Sequence, residues 1–385
     1  MFDERIFRLG TNSIKWDRYN NEEIIAMGTA DMDFMSPQCV TEALINRAKL
    51  GMFAYELKSD SYYNAIIDWY AQRYNWRIKK EWLSNSPGIW AGVRICIDSF
   101  TEPGDKIMAH SPTFHPVIDI VKKSRRDLVT NSLVLKDGHY TIDFEDFESK
   151  IADDVKIFIL VNPHNPSGRV FTSEELTRIG EICNKHKVLV LSDEVHGGVV
   201  FKGHKHVPYG SISEEFAMNS IIITAASKSF NLQGLTHGIL IIPNKQLWDI
   251  YESALIGYDF DFATNVFSLA AVDAAYRHGG PWLNELITYL QSNLHYLIDY
   301  FEVNIPKIKI IKPEGSYMVW LDCRELKMNK DKLENFFMTK AKVALTFGAG
   351  FGKDGEGFAR INIACSRDLL NEALERIKEA VNSIT

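Results

Sequence analysis

The sequence has no excess of positive charge, few cysteines and no apolar run of membrane-spanning length. Its 43 Lys and Arg are outnumbered by 50 Asp and Glu, for a formal net charge of −7. That balance argues against a general nucleic-acid or membrane surface. A bilayer span needs about 20 consecutive apolar residues, and the start Met1-Phe2-Asp3-Glu4-Arg5 carries no secretory apolar core. A cytoplasmic protein is the expectation. The five cysteines (Cys39, Cys96, Cys183, Cys323 and Cys365) are scattered, with no Cys-x-x-Cys pair. They suit reduced, buried thiols and provide no metal or catalytic set. Low-complexity linkers and internal repeats are missing too, so the 385 residues, 46% of them hydrophobic, can bury a large core, enough for two domains.

What is present is an alternation. Pro37 to about Leu50 reads as a short amphipathic helix after a Ser36-Pro37 start signal. Ser61 to Asn75 is a second helical stretch whose aromatics (Tyr62, Tyr63, Trp69, Tyr70, Tyr74) suit a core better than a base-stacking platform. Short apolar strands then alternate with helical segments until about Pro281, the pattern of a doubly wound α/β domain. A long helix over Pro281–Phe301 follows, and the strands Ile308–Ile311 and Tyr317–Leu321 suit a smaller α/β unit.

Chemistry concentrates at three strand ends. The apolar run Val155–Val161 leads into Asn162-Pro163-His164-Asn165-Pro166-Ser167-Gly168. Its two Asn-Pro steps bar helix and make a rigid loop able to present the Asn165 amide. The strand Lys187–Ser192 is followed by Asp193-Glu194-Val195-His196, and Ser220–Thr224 by Ala225-Ala226-Ser227-Lys228-Ser229. A lysine at a strand end is usually solvated, and an acid there usually marks a loop or a cap. In an open α/β sheet, however, ligands bind at the carboxyl ends of the strands. A lysine enclosed in a cleft there can lose its proton and attack a carbonyl. Asn165, Asp193 and Lys228 are therefore expected to converge if their strands share a sheet.

These motifs resemble those of the fold-type I pyridoxal-phosphate enzymes, and within them the cystathionine β-lyase-like C–S lyases of the MalY/PatB group. The likeness runs from Ala30-Asp31-Met32-Asp33-Phe34 to Phe358-Ala359-Arg360-Ile361-Asn362. It implies an aminotransferase-like fold: a large, mainly parallel, doubly wound sheet domain over residues 49–280 and a smaller α/β domain over 281–385, joined by an N-terminal segment, 1–48. It also implies pyridoxal 5'-phosphate as the cofactor, an L-amino-acid substrate, and a homodimer with shared active sites.

The resemblance assigns roles residue by residue. Lys228 carries the cofactor and moves the substrate's Cα proton, and Asp193 holds a proton on the pyridine nitrogen. Asn165 steadies the phenolic oxygen with His196 nearby, and Phe114 stacks on the ring. Gly88, Ile89 and Trp90 would offer backbone amides to the phosphate at the start of a helix, with Ser227 as a further donor and Tyr55 reaching in from the partner subunit. Arg360 would bind the α-carboxylate, which a guanidinium can fork bidentately; by position alone it would be a cross-strand ion pair. The sequence departs from the group at Phe114-His115, where two tyrosines are usual, and the imidazole of His115 becomes a candidate substrate contact. His204, His206 and His196 lack metal-ligand spacing, and a structural loop is the reading preferred.

The activity so implied is β-elimination of an S-substituted L-cysteine such as L-cystathionine, giving thiol, pyruvate and ammonia. An aminotransferase on the same scaffold is the alternative, since fold does not settle function. An additional regulatory, protein-binding role is a third.

Overall fold

The computed structural model describes residues 2–152, 154–260 and 264–384. Seven strands form the main sheet: β1 (Leu83–Ser86), β2 (Lys106–Ser111), β3 (Asp127–Ser132), β4 (Val155–Val161), β5 (Leu189–Asp193), β6 (Ser220–Thr224) and β7 (Gly238–Ile241). Their spatial order is β1-β7-β6-β5-β4-β2-β3. Pairing is parallel from β6 through to β3, whereas β7 runs antiparallel to both β6 and β1. The central strands are apolar on both faces, as a sheet covered by helices on each side requires. In β4 only Lys156 is exposed, and β5 and β6 are buried throughout.

Local signals set the helix boundaries. Thr172 and Glu175 form a reciprocal capping box at the start of Ser173–Lys185, satisfying two otherwise orphaned N–H groups. Ser59 caps Asp60–Tyr74, in which Tyr62, Trp69 and Tyr70 are buried. The long helix after the sheet spans Gly280–Asn304.

A second, antiparallel sheet follows it: β8 (Lys309–Ile311), β9 (Met318–Asp322), β10 (Thr346–Phe347) and β11 (Phe358–Asn362), in the order β8-β9-β11-β10. The N-terminal segment touches both parts of the molecule. Ile25–Ala26 pairs in parallel with Val343–Ala344, and the helix Gln38–Lys49 packs against Val266–His278. Residues between these two contacts are tied down tightly. Asn231 accepts from Met32 N and donates to the Met32 and Phe34 carbonyls, while Asn362 donates to the Thr29 and Asp31 carbonyls. Lys15 and Asp33, both buried, pair at 2.8 Å. The stretch 28–34 is thus laid across the carboxyl edge of the main sheet.

Candidate active site

Register brings the three strand ends together. Asp193 lies opposite Val161 on one side and Ile223 on the other, so the residues that follow those strands flank it. The Asn162 N–H donates to the Asp193 carbonyl at 2.9 Å, which places the Asn-Pro loop beside the acid. Gly168 closes that loop in a left-handed conformation, φ +73°, where a Cβ would come within 2.3 Å of Pro313. Glycine is therefore required there by both backbone and space.

A cavity of about 350 Å³ opens at this edge. Gly88, Ile89, Trp90, Phe114, Asn165, Asp193, His196, Ser227 and Lys228 all line it. Lys228 sits not at the end of β6 but in the single helical turn Ser227–Phe230 that follows it. That turn swings its amine under residue 30, and Nζ donates to the Ala30 carbonyl at 2.8 Å. The same carbonyl accepts from the Tyr317 hydroxyl at 3.1 Å and from Gln233 Nε2 at 3.2 Å. Burial disfavours the charged amine and, with the nearby Arg360 charge, brings the Lys228 pKa down to about 8 against the opposing pull of Asp31 and Asp193.

Burial lifts the Asp193 carboxyl to about 6, while the Val195 N–H at 3.1 Å and the Lys228 charge pull it the other way. At neutral pH it remains mostly an anion, facing the cavity with capacity to accept a further hydrogen bond. Asn165 Oδ1 accepts from Arg360 Nη1 at 2.8 Å, which leaves the amide nitrogen as donor. His196 is buried and its Nδ1 lies 3.1 Å from Ser316 Oγ. Burial, then the charges of Lys228 and Arg360, hold it well below its ordinary pKa, so it is neutral.

Arg360 and His115 do not line the cavity itself. Arg360 is buried behind Asn165, between the rings of Phe114 and Phe351 at 5.6 and 5.1 Å. Its Nη2 faces the Gly28 carbonyl at 3.3 Å, and Nε has no hydrogen-bond partner among the described residues. Burial brings its pKa down to about 10, so it stays charged at neutral pH. His115 begins the helix His115–Lys123 and packs against Phe114 and Phe351. Burial and the Arg360 charge both lower its pKa.

Tyr55 is 89% exposed and lies outside the cavity of its own chain. The tempting histidines separate: His206 Nε2 binds Glu194 at 3.0 Å, His204 lies at the surface 4.0 Å from Glu314, and His196 binds Ser316. Several lining groups were given no site role by the sequence, among them Gln233, Thr236, His237 and the Ala30 carbonyl. The first three stand five to nine positions after Lys228, the only signal the sequence offered for them.

An open α/β sheet that gathers a buried lysine and a buried acid around a cavity at its carboxyl edge has the ligand site of an α/β enzyme. The chain belongs to the aminotransferase class I and II family, whose sequence profile matches residues 22–377. It is 39% identical to the cystathionine β-lyase PatB of Bacillus subtilis (strain 168), covering 99% of this chain and 100% of that protein. Among solved structures, a pyridoxal phosphate-bound protein of Clostridium difficile 630 superposes with a TM-score of 0.97 at 41% identity, covering 99% of each chain. A pyridoxal phosphate-bound C–S lyase from Staphylococcus hominis matches with a TM-score of 0.93 at 31% identity, over 99% of this chain and 98% of that one.

Proposed function

We propose that the protein is a pyridoxal phosphate-dependent carbon–sulfur lyase that eliminates the β-substituent of an S-substituted L-cysteine, of the cystathionine type. The observation that carries this reading is the pairing of a depressed lysine with a buried carboxylate across one cavity, in a chain closely similar to proteins of that activity. The residues present fit the cofactor. A buried acid suits its pyridine nitrogen, the helix start at Ile89 suits its phosphate, and the ring of Phe114 suits its flat face. When bound, pyridoxal phosphate supplies a carbonyl for amino groups and an electron sink for the bond breaking at Cα.

The chain's own groups do the rest. Lys228 would take the proton from the substrate's Cα in its uncharged form, which a pKa of about 8 makes accessible near neutral pH. Asp193 would hold a proton on the ring nitrogen, and Asn165, whose Oδ1 is taken by Arg360, would steady the phenolic oxygen through its amide nitrogen. Arg360 is assigned to the substrate carboxylate; it lies behind Asn165, with its guanidinium held by Asn165 and the Gly28 carbonyl. His115, which packs against Phe114 and Phe351, is assigned as a candidate substrate contact. Residues 49–280 are assigned to the cofactor-binding domain and 281–385, joined by the N-terminal segment 1–48, to the smaller one.

A homodimer completes this reading. Leu50, Met52, Phe53, Tyr55 and Leu57 are each more than 60% exposed, a density of apolar surface that marks an interface. Tyr55 is assigned to the phosphate of the partner's site. Five free cysteines suit a reducing, cytoplasmic compartment. The test is a product assay on purified protein with pyridoxal phosphate and L-cystathionine. Pyruvate and free thiol without any 2-oxo acid support the lyase. Glutamate formed only with 2-oxoglutarate and a wider amino-acid panel overturns it in favour of an aminotransferase.

A further inference from the structure

The cavity lining includes a pair of residues, Thr236 and His237, that the roles above leave unused. Because β7 runs antiparallel, its first residue, Gly238, stands opposite Ser86, the last residue of β1. Thr236 and His237, just before it, are thereby brought against the turn Pro87-Gly88-Ile89-Trp90 and line the cavity with it. The approach is close: a Cβ on Gly238 would lie 2.2 Å from Ser86 Oγ and 3.3 Å from the Gly88 oxygen.

His237 is 7% exposed, and its Nε2 lies 2.7 Å from the hydroxyl of buried Tyr62. Burial holds that phenol well above its ordinary pKa, so it keeps its proton. No other acceptor is hydrogen-bonded to it among the described residues, and the proton points to Nε2. Burial and the charge of Lys58 keep the imidazole neutral, and a neutral imidazole carries one N–H. With Nε2 accepting, that N–H is on Nδ1. His237 Nδ1 is buried and has no hydrogen-bond partner among the described residues, a costly state for a donor unless a ligand completes it. The adjoining helix Ile89–Phe100 likewise has no side-chain cap, so its first N–H groups are free for the same anion.

We propose that His237, its tautomer set by Tyr62, donates a hydrogen bond to the phosphate of the cofactor and tightens its hold. This rests on the cofactor reading above. Tyr62 is a positioning residue, acting through the imidazole.

The test uses the full-length chain freed of cofactor, titrated with pyridoxal phosphate and, separately, with pyridoxal, which lacks the phosphate. Tryptophan fluorescence is the readout, since Trp90 lines the cavity. His237→Ala is expected to weaken pyridoxal phosphate about tenfold or more, the scale of a lost hydrogen bond to a charged acceptor, while pyridoxal binding is unchanged. His237→Asn, whose amide nitrogen can stand where Nδ1 stood, is expected to recover most of the loss. Tyr62→Phe is expected to show a smaller loss with the same selectivity. If His237→Ala does not fold, the other two variants decide. Equal losses for both ligands, or unchanged pyridoxal phosphate affinity in all three, overturn the assignment. A wild-type chain that binds neither ligand overturns the cofactor reading instead.

Discussion

Competitive amine labelling across a pH series, on the full-length chain freed of cofactor, reads the protonation of Lys228 without any turnover. An ordinary lysine is uncharged in about one molecule in 2500 at pH 7. A group at about 8 is uncharged in roughly one in ten. Labelling of the Lys228 peptide is therefore expected to climb through pH 7 and level off above about 8, while surface lysines keep climbing past 10. The sign of each neighbour can be tested separately. Arg360→Gln removes a like charge and moves the midpoint up, whereas Asp193→Asn removes an opposite charge and moves it down. Unfolded chain holds this proton to about 10.4, and folded chain releases it above about 8. The group therefore opposes folding below pH 8, and that opposition fades as the pH rises from there towards 10.4. A Lys228 midpoint at or above 10 would mean a solvated amine and would refute the enclosed-nucleophile argument.

Three further outcomes follow from other parts of the molecule. Gly168→Ala forces a Cβ to within 2.3 Å of Pro313 at φ +73°. It is expected to cost at least about 1–2 kcal/mol in urea unfolding and, by shifting the Asn165 loop, to weaken cofactor binding as well; an unchanged urea midpoint would contradict the geometry. Lys15→Met strands the buried Asp33 carboxylate and is expected to destabilise by about 3–5 kcal/mol, reduced to the extent that Arg8 and Trp16 still bind Asp33. A loss below about 0.5 kcal/mol, the range of ordinary surface changes, would show that the pair is dispensable. Finally, inactive Tyr55→Ala and Lys228→Ala chains, unfolded together and refolded as a mixture, are expected to regain activity. Only a site shared between subunits gives one intact centre per mixed dimer, so absence of recovery would place Tyr55 outside the partner's site.

Much of this architecture was legible in the chain itself. The apolar runs of β4, β5 and β6, each ending at or followed within a few residues by a polar group (Asn165, Asp193 or Lys228), marked one edge as the place for chemistry. That followed because strand burial and strand-end exposure are local consequences of side-chain type. Asn165, Asp193 and Lys228 meet there because their strands are parallel neighbours. Motif resemblance added Arg360 and the turn at Gly88, which periodicity alone would have passed as an ion pair and a tight turn.

Other features of the site depended on contacts that no local pattern encodes. The acceptor for Lys228 is a backbone carbonyl 198 residues away, and every residue has such a carbonyl, so none is distinguished by sequence. Arg360 reaches the cavity only through Asn165, across 195 residues and from a different sheet. The direction of β7, which carries His237 to the helix start, is a matter of chain path rather than composition. Composition and spacing determined which strands form and which of their ends carry reactive groups, because burial of each strand is dictated by its own side chains. Which carbonyl faces the amine, and which histidine lines the cavity beside the turn at Gly88, was decided only when packing closed distances that the sequence leaves open.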